Sequence, residues 1–268
     1  MRTIFAATFM LVAAALAGGL SGSAPAFAQT APSPAVLKDL APTGKLRAAI
    51  NFGNPVLAQR GPNGEPQGVS AELAAALAKR LGVPLDYVRF EAAHKVFEAL
   101  AAGSVDVGFI AIDPKRAAEV EFTPPYVLIE GTYMVRQDSP LKDVGDVDKP
   151  GIKIGIGLGS VYDLYLTRTL KHATLVRSDN GVAAFVRDNL DAAGGIKQPL
   201  AAYAAAHPGL RMLDGRFMLI RQALGLPKGR GEAVGAFVRA FIAEMKESGF
   251  VADALKRSGQ GAELVAAD

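Results

Sequence analysis

Residues 69–112, VSAELAAALAKRLGVPLDYVRFEAAHKVFEALAAGSVDVGFIAI, carry the pattern that sets the architecture. Val69–Leu81 is rich in helix formers and spaces Leu73, Leu77 and Leu81 four residues apart on one face, and Gly82 stops it. Leu85–Phe90 alternates like a half-buried strand. Lys95–Ala102 reads as a short helix ended by Gly103, and Val105–Ile112, apolar after Asp106, reads as a buried strand. With Leu46–Ile50 as a strand upstream, the order is βαβαβ. That order implies a largely parallel open sheet with helices on both faces.

Pro124-Pro125 breaks the pattern, which then restarts. Tyr126–Arg136 reads as a long strand and Asp138–Gly151 as a loop. Strands follow at Ile152–Ile156, Thr174–Val176 and Asp191–Ala193, separated by helices at Val161–Thr169 and Gly181–Arg187. A helix over about Gln198–Ala206, strands at Arg211–Leu213 and Phe217–Leu224, and helices at Glu232–Lys246 and Phe250–Lys256 complete the chain. The fold class is α/β, with two lobes that are each a doubly wound, mostly parallel sheet with flanking helices. Lobe one is expected over 37–128 and 217–268 and lobe two over 129–216. Ligands of such folds bind in a cleft outside the carboxyl ends of the strands.

Upstream, Arg2 precedes an apolar run from Ile4 to Leu16, and small residues lead to Ala26-Phe27-Ala28, an A-x-A signature. Residues 1–28 therefore read as a signal peptide, against the alternative of a retained anchor, for which the run is short. Gln29–Val36, rich in Ala, Pro and Ser, reads as a flexible leader. The chain has no cysteine, which excludes disulfides, a thiol nucleophile, Cys-ligated zinc and lipid attachment at a cysteine. The expected location is the periplasm, in a form that is not lipid-anchored. A formal net charge of +3, without basic runs interleaved with aromatics, argues against nucleic acid as a partner. His94, His172 and His207 lack metal-ligand spacing, and neither H-E-x-x-H nor G-x-S-x-G occurs.

Four segments together resemble a known family: Gly44–Arg47 (GKLR), Gly68–Gly82, Phe97–Asp106 (FEALAAGSVD) and Ile112–Tyr126 (IDPKRAAEVEFTPPY). They are similar to the periplasmic solute-binding proteins of polar-amino-acid ABC importers. The last segment follows the family pattern T-x-x-R-x-x-x-x-x-F-S/T-x-P-Y, with Asp113 in place of the Thr. Arg116, Phe122, Thr123, Pro125 and Tyr126 fit it. The resemblance implies a two-lobed type II periplasmic binding protein, a monomer with no cofactor and no catalytic residue. It would close on a small carboxylate-bearing solute and deliver it to an ABC permease and ATPase complex in the inner membrane.

Within that resemblance, Arg116 is expected to clamp the ligand carboxylate, which suits a planar guanidinium. The other reading is a surface arginine paired with Glu119 or Glu121. The loop Gly155–Ser160 (GIGLGS) lacks both G-x-G-x-x-G spacing and the Walker lysine, so it reads as a strand, a tight turn and a helix start. Ser160 is positioned to cap that helix with Asp163 three residues on, and free N–H groups there favour an anion. By resemblance, Gly159, Ser160 and Val161 approach the same carboxylate. Asn51, Phe52 and Asn54 follow the first strand where ligand-covering residues lie, and Phe109, Ile110 and Ala111 stand where ammonium contacts are common.

Family members that bind α-amino acids carry an acidic residue a few positions after the Asp191-Ala192-Ala193 strand. Here Ile196 falls near that position, so a bound ammonium has no counter-charge there. Lys197 has two readings: a partner for a second acidic group, or the start of a solvated helix. The expected function is therefore capture of an amino acid or a related organic acid. The alternative is an enzyme of the same fold resembling cyclohexadienyl dehydratase, with Glu130 or Asp163 as its acid. Glu130 is otherwise expected to bond backbone at a hinge beside Gly131. A sensory ligand-binding module is a third reading.

Overall fold

The computed structural model describes residues 31–267, so the signal-peptide reading of 1–28 lies outside the described residues. The chain begins with α1 (Pro34–Leu40), then β1 (Leu46–Asn51), a two-stranded ribbon of β2 (Gln59–Arg60) and β3 (Pro66–Gln67), and α2 (Val69–Leu81). β4 (Leu85–Phe90), α3 (Ala93–Ala101) and β5 (Val107–Ala111) follow. Leu73, Leu77 and Leu81 of α2 are all buried, as their spacing requires, and Gly82 caps the helix in the left-handed conformation. Strand β1 pairs in parallel with β4 (Leu46 opposite Leu85) and with β5 (Ala48 opposite Val107). It is accordingly buried along nearly its whole length.

Next come α4 (Pro114–Ala117), β6 (Val120–Phe122), β7 (Val127–Arg136), β8 (Lys153–Gly157), α5 (Val161–Thr169), β9 (Thr174–Ser178), α6 (Gly181–Arg187) and β10 (Ala192–Ile196). The chain ends with α7 (Lys197–Ala206), β11 (Leu210–Met212), β12 (Met218–Pro227), α8 (Glu232–Glu247) and α9 (Phe250–Arg257). The sheet runs β4-β1-β5-β12-β7-β10-β8-β9. Two parallel sets, β4-β1-β5 and β10-β8-β9, are joined through the antiparallel pair β7 and β12, with Ile129 opposite Ile220. The result is a two-lobed α/β molecule. One group of core residues surrounds the first set, including Leu73, Phe109 and Phe241; two others belong to the second, one with Tyr133 and Ile154 and one with Met134 and Phe185. Val161 and Ile196 belong to the second set's elements yet pack into the first core, which marks a closed arrangement of the lobes.

Three expectations need correction. Residues 34–36 are helical, not a flexible leader: the Ser33 hydroxyl accepts from the Val36 N–H at 3.3 Å, Pro34 occupies the first turn, and Val36 and Leu40 are buried. The loop 138–151 contains a 3₁₀ turn over Val144–Val147, closed by a capping box between Asp143 and Asp146. Strand β10 runs on to Ile196 because Gly194–Ile196 pair with Tyr133–Gly131 of β7, so two glycines that suggest a turn are held in a strand by their ladder.

Candidate functional site

The carboxyl ends of β1, β4, β5, β8, β9 and β10 converge on one cavity of about 100 Å³. Its floor includes Ile220 and Gln222 of β12. This is where an open parallel sheet exposes unpaired loop backbone and helix starts, and hence where ligands bind.

Arg116 is the charge at its base. The short helix α4 that carries it is capped by Asp113, whose Oδ1 accepts from the Lys115 N–H at 2.8 Å. Arg116 is 2 % exposed. Nη1 donates to the Ala111 carbonyl and Nη2 to the Gly159 carbonyl, each at 3.0 Å. Burial lowers its pKa to about 10, and nearby Asp113 partly opposes that fall. At neutral pH it is a buried cation, and among the described residues no carboxylate pairs with it. Such a charge is costly unless an anion meets it. The reading as a surface arginine paired with Glu119 or Glu121 is corrected by this burial: Glu121 pairs instead with Arg239.

The turn before α5 is built differently from expectation. Gly159 has φ +63°, and a Cβ there would come within 2.7 Å of the His94 Cβ, so only glycine lets the two lobes approach this closely. Its N–H donates to Asp163 Oδ2 at 2.9 Å and its carbonyl accepts from Arg116. Gly159 therefore holds the cation in place and does not line the cavity. Ser160 and Val161 do line it. The Ser160 hydroxyl caps α5 by accepting from the Asp163 N–H at 3.0 Å. Tyr162 lies beside them, its phenol pushed up by burial and hence neutral.

Asn51 and Asn54 line the cavity and are nearly buried. Asn51 Oδ1 accepts from the Gly53 N–H at 3.0 Å, and Asn54 Oδ1 from the Val56 N–H at 3.3 Å. Because backbone donors take the oxygens, the groups left over are the two NH₂ donors. Ile110 and Ala111 also line the space.

Four expected residues do not. Phe109 is core, edge-on to Tyr126 with centroids 6.0 Å apart. Phe52 packs on the core beneath the Arg60 guanidinium, 4.2 Å from its ring centre. Gly159 is described above. Lys197 turns away from the cavity, its Nζ donating to Glu130 Oε2 at 2.6 Å, while Arg216 Nη1 reaches Oε1 at 2.8 Å. That clamp also corrects the expectation of backbone bonds for Glu130. The hydrogen bond from Lys197 first, and that from Arg216 second, holds its carboxyl below the usual range. A carboxylate so held is poorly suited to act as an acid. Asp163 is likewise occupied by Gly159, Thr167 and Arg177, and neither it nor Glu130 lines the cavity.

Sequence reasoning missed Gln222, Glu91 and Asp179. Gln222 is 4 % exposed, lines the cavity and makes no side-chain hydrogen bond among the described residues. Its one sequence signal is that Arg221 and Gln222 form an adjacent polar pair inside an otherwise apolar strand. Glu91 and Asp179 each follow the carboxyl end of a strand, β4 and β9. Among the described residues no group of three or more candidate ligands is placed to hold a metal, and no helix is long and apolar enough to cross a membrane.

Structural relatives share this architecture. A mutant of ArgBP from T. maritima is 22% identical, covers 84% of this chain and 99% of its own, and superimposes with a TM-score of 0.70. The solute receptor for L-cysteine of Neisseria gonorrhoeae is 23% identical over 83% of this chain and 92% of its own, with a TM-score of 0.72. At such identities the likeness speaks for the fold alone. An ancestral amino acid-binding protein, a precursor of cyclohexadienyl dehydratase, is 26% identical over 82% of this chain and 98% of its own, at TM-score 0.68. A curated relative from Escherichia coli (strain K12), the putative aliphatic sulfonates-binding protein, is 31% identical over 193 residues, or 65% of this chain. The chain spans 58% of that relative's length. Residues 46–259 match the model of one family across both lobes, and the chain belongs to it: the bacterial extracellular solute-binding proteins, family 3.

Proposed function

We propose that this protein captures a small organic anion in the periplasm and presents it to an ABC permease and ATPase pair in the inner membrane. On this reading residues 1–28 are a cleaved signal peptide, and lobes over 37–128 with 217–268 and over 129–216 close on the ligand. The observation that carries it is Arg116, a buried cation facing a cavity with no carboxylate partner of its own. Around it stand the amide donors of Asn51 and Asn54 and the Ser160 cap. A donor-rich cavity with one fixed positive charge recognises a carboxylate or sulfonate head. The name of the Escherichia coli relative is consistent with a head group of either kind. Arg116 bridges to Gly159 of the other lobe only when the cleft is shut, so an anion bound there favours closure by differential affinity.

A thermal-shift panel of amino acids, mono- and dicarboxylates, keto acids and alkanesulfonates tests this reading. A ligand at about a hundred times its Kd adds about 2.7 kcal/mol to stability. Stabilisation by one acid class that disappears in Arg116→Ala is expected. No shift with any acid, or an identical shift in that variant, overturns it. Turnover of prephenate or arogenate would support the dehydratase reading instead.

A further inference from the structure

Gln222 stands in β12 opposite Ala111 of β5, and the Ala111 carbonyl holds Arg116 Nη1 at 3.0 Å. The amide is therefore carried beside the anion site, and it lines the same cavity. It is 4 % exposed and makes no side-chain hydrogen bond among the described residues. Two other buried polar atoms without partners, His94 Nδ1 and Gln198 Oε1, are sealed off, whereas the Gln222 amide opens onto the cavity. A native fold rarely buries an amide without giving it a partner, so the open side points to a ligand. Of the three amides lining the cavity, those of Asn51 and Asn54 spend their oxygens on the Gly53 and Val56 N–H groups. Only Gln222 offers both a free oxygen and a free NH₂.

We propose that Gln222 sets specificity at the carbon next to the acid group, and that the ligand is a 2-hydroxy acid. This rests on the reading of Arg116 as the anion site. An apolar cavity of about 150 Å³ takes benzene, so the inner space of about 100 Å³ takes an acid group and the adjoining carbon with one small substituent. A hydroxyl there both donates and accepts, which matches the two free atoms of the Gln222 amide. A keto oxygen only accepts and leaves the Gln222 oxygen unpaired. An ammonium in that place meets no buried carboxylate. Ile196 is aliphatic, Asp163 is occupied and lies outside the cavity, and Glu91 and Asp179 are exposed. A second cation close to Arg116 without a buried counter-charge is costly. The rest of the ligand extends past Gly157, Tyr162 and Ile196 into an adjoining space of about 430 Å³, where Val182, Pro199 and Leu200 offer apolar surface.

Calorimetry on the purified protein with two matched sets tests this: propionate, lactate, pyruvate and alanine, then hexanoate, 2-hydroxyhexanoate, 2-oxohexanoate and norleucine. In at least one set the hydroxy acid is expected to bind at least about fivefold tighter than each of its three counterparts. Gln222→Met, which keeps the length of the side chain and removes the amide, is expected to bring the ratio of hydroxy acid to unsubstituted acid close to one. A merely structural role for Gln222 would weaken all acids alike and leave that ratio unchanged. A keto, amino or unsubstituted acid that binds as tightly as the hydroxy acid in both sets, or a ratio that survives Gln222→Met, overturns the inference. The ranking in the unaltered protein decides the substituent even where the variant does not fold. If the unsubstituted acids bind and Arg116→Ala abolishes them while their hydroxy forms gain nothing, the anion site stands and only the 2-hydroxy acid falls. Silence from all eight overturns the inference, and the broader acid panel then decides the anion site separately.

Discussion

Arg168 Nη2 lies 2.7 Å from Asp113 Oδ2, joining α5 of one lobe to the cap of α4 in the other. Asp113 is 2 % exposed, and its other oxygen holds the helix that carries Arg116. One carboxylate thus caps the anion-site helix, neighbours its cation and ties the lobes together. In the family pattern a Thr stands there, which offers no such ion pair. A cross-lobe pair exists only in the closed state, so it shifts the open–closed balance independently of ligand.

Arg168→Gln removes that tie while leaving the α4 cap intact. The buried Asp113 carboxylate loses a charge-assisted partner, at a cost of about 1–3 kcal/mol to the closed state. The ligand-free variant is expected to show a larger radius of gyration by X-ray scattering, and affinity is expected to fall about tenfold. Unchanged scattering and affinity would show that the pair contributes nothing to closure.

Arg116→Lys tests geometry apart from charge. The guanidinium reaches two carbonyls and still has N–H groups for a ligand, whereas an ammonium has three donors on one atom. Binding is expected to weaken by about 2 kcal/mol or more, with the far-UV spectrum unchanged. A lysine variant that binds as tightly as the parent would mean that charge alone suffices.

Gly159→Ala meets both a left-handed backbone and the His94 side chain. The expected cost is about 1–2 kcal/mol. Because His94 belongs to the other lobe, part of it falls on the closed state, so ligand affinity should drop together with the melting point. A loss of melting point with full affinity would place the strain in the turn alone.

Glu130 links stability to pH. Its carboxyl is depressed below the ordinary 4.5 by Lys197 and Arg216, so the folded state holds its proton less tightly than the unfolded chain. The stabilisation is therefore fully present above the unfolded value and is lost as pH falls through the folded one. Acid titration of Glu130→Gln should show a shallower loss of stability below about pH 4.5 than the parent. Parallel curves would show that the clamp contributes nothing to acid sensitivity.

Helices and strands were legible where one periodicity dominated. Val69–Leu81, Val161–Thr169 and Gly181–Arg187 begin and end where the sequence places them, because each has a cap or stop residue and local bonds decide the ends. Edges set by pairing were not legible: β12 continues to Pro227 because β6 lies alongside it, with Pro227 opposite Val120. The Arg116 motif was equally legible as a resemblance, and its side chain does reach the cavity.

What the sequence by itself determined was therefore the α/β order, the family pattern and the residue at the base of the cavity, since all three live in short runs of chain. Only the tertiary structure decided which charges face one another. From the sequence Lys197 read equally as a partner for an acidic group in the cleft or as the start of a solvated helix, and Glu130, 67 residues away in sequence, holds it outside the cavity. The acidic residues that do line the cavity, Asp179 and Glu91, stand on two other strand ends, away from Ile196 in sequence. Electrostatic partners are chosen by distance in space, and the closing of one lobe on the other sets that distance.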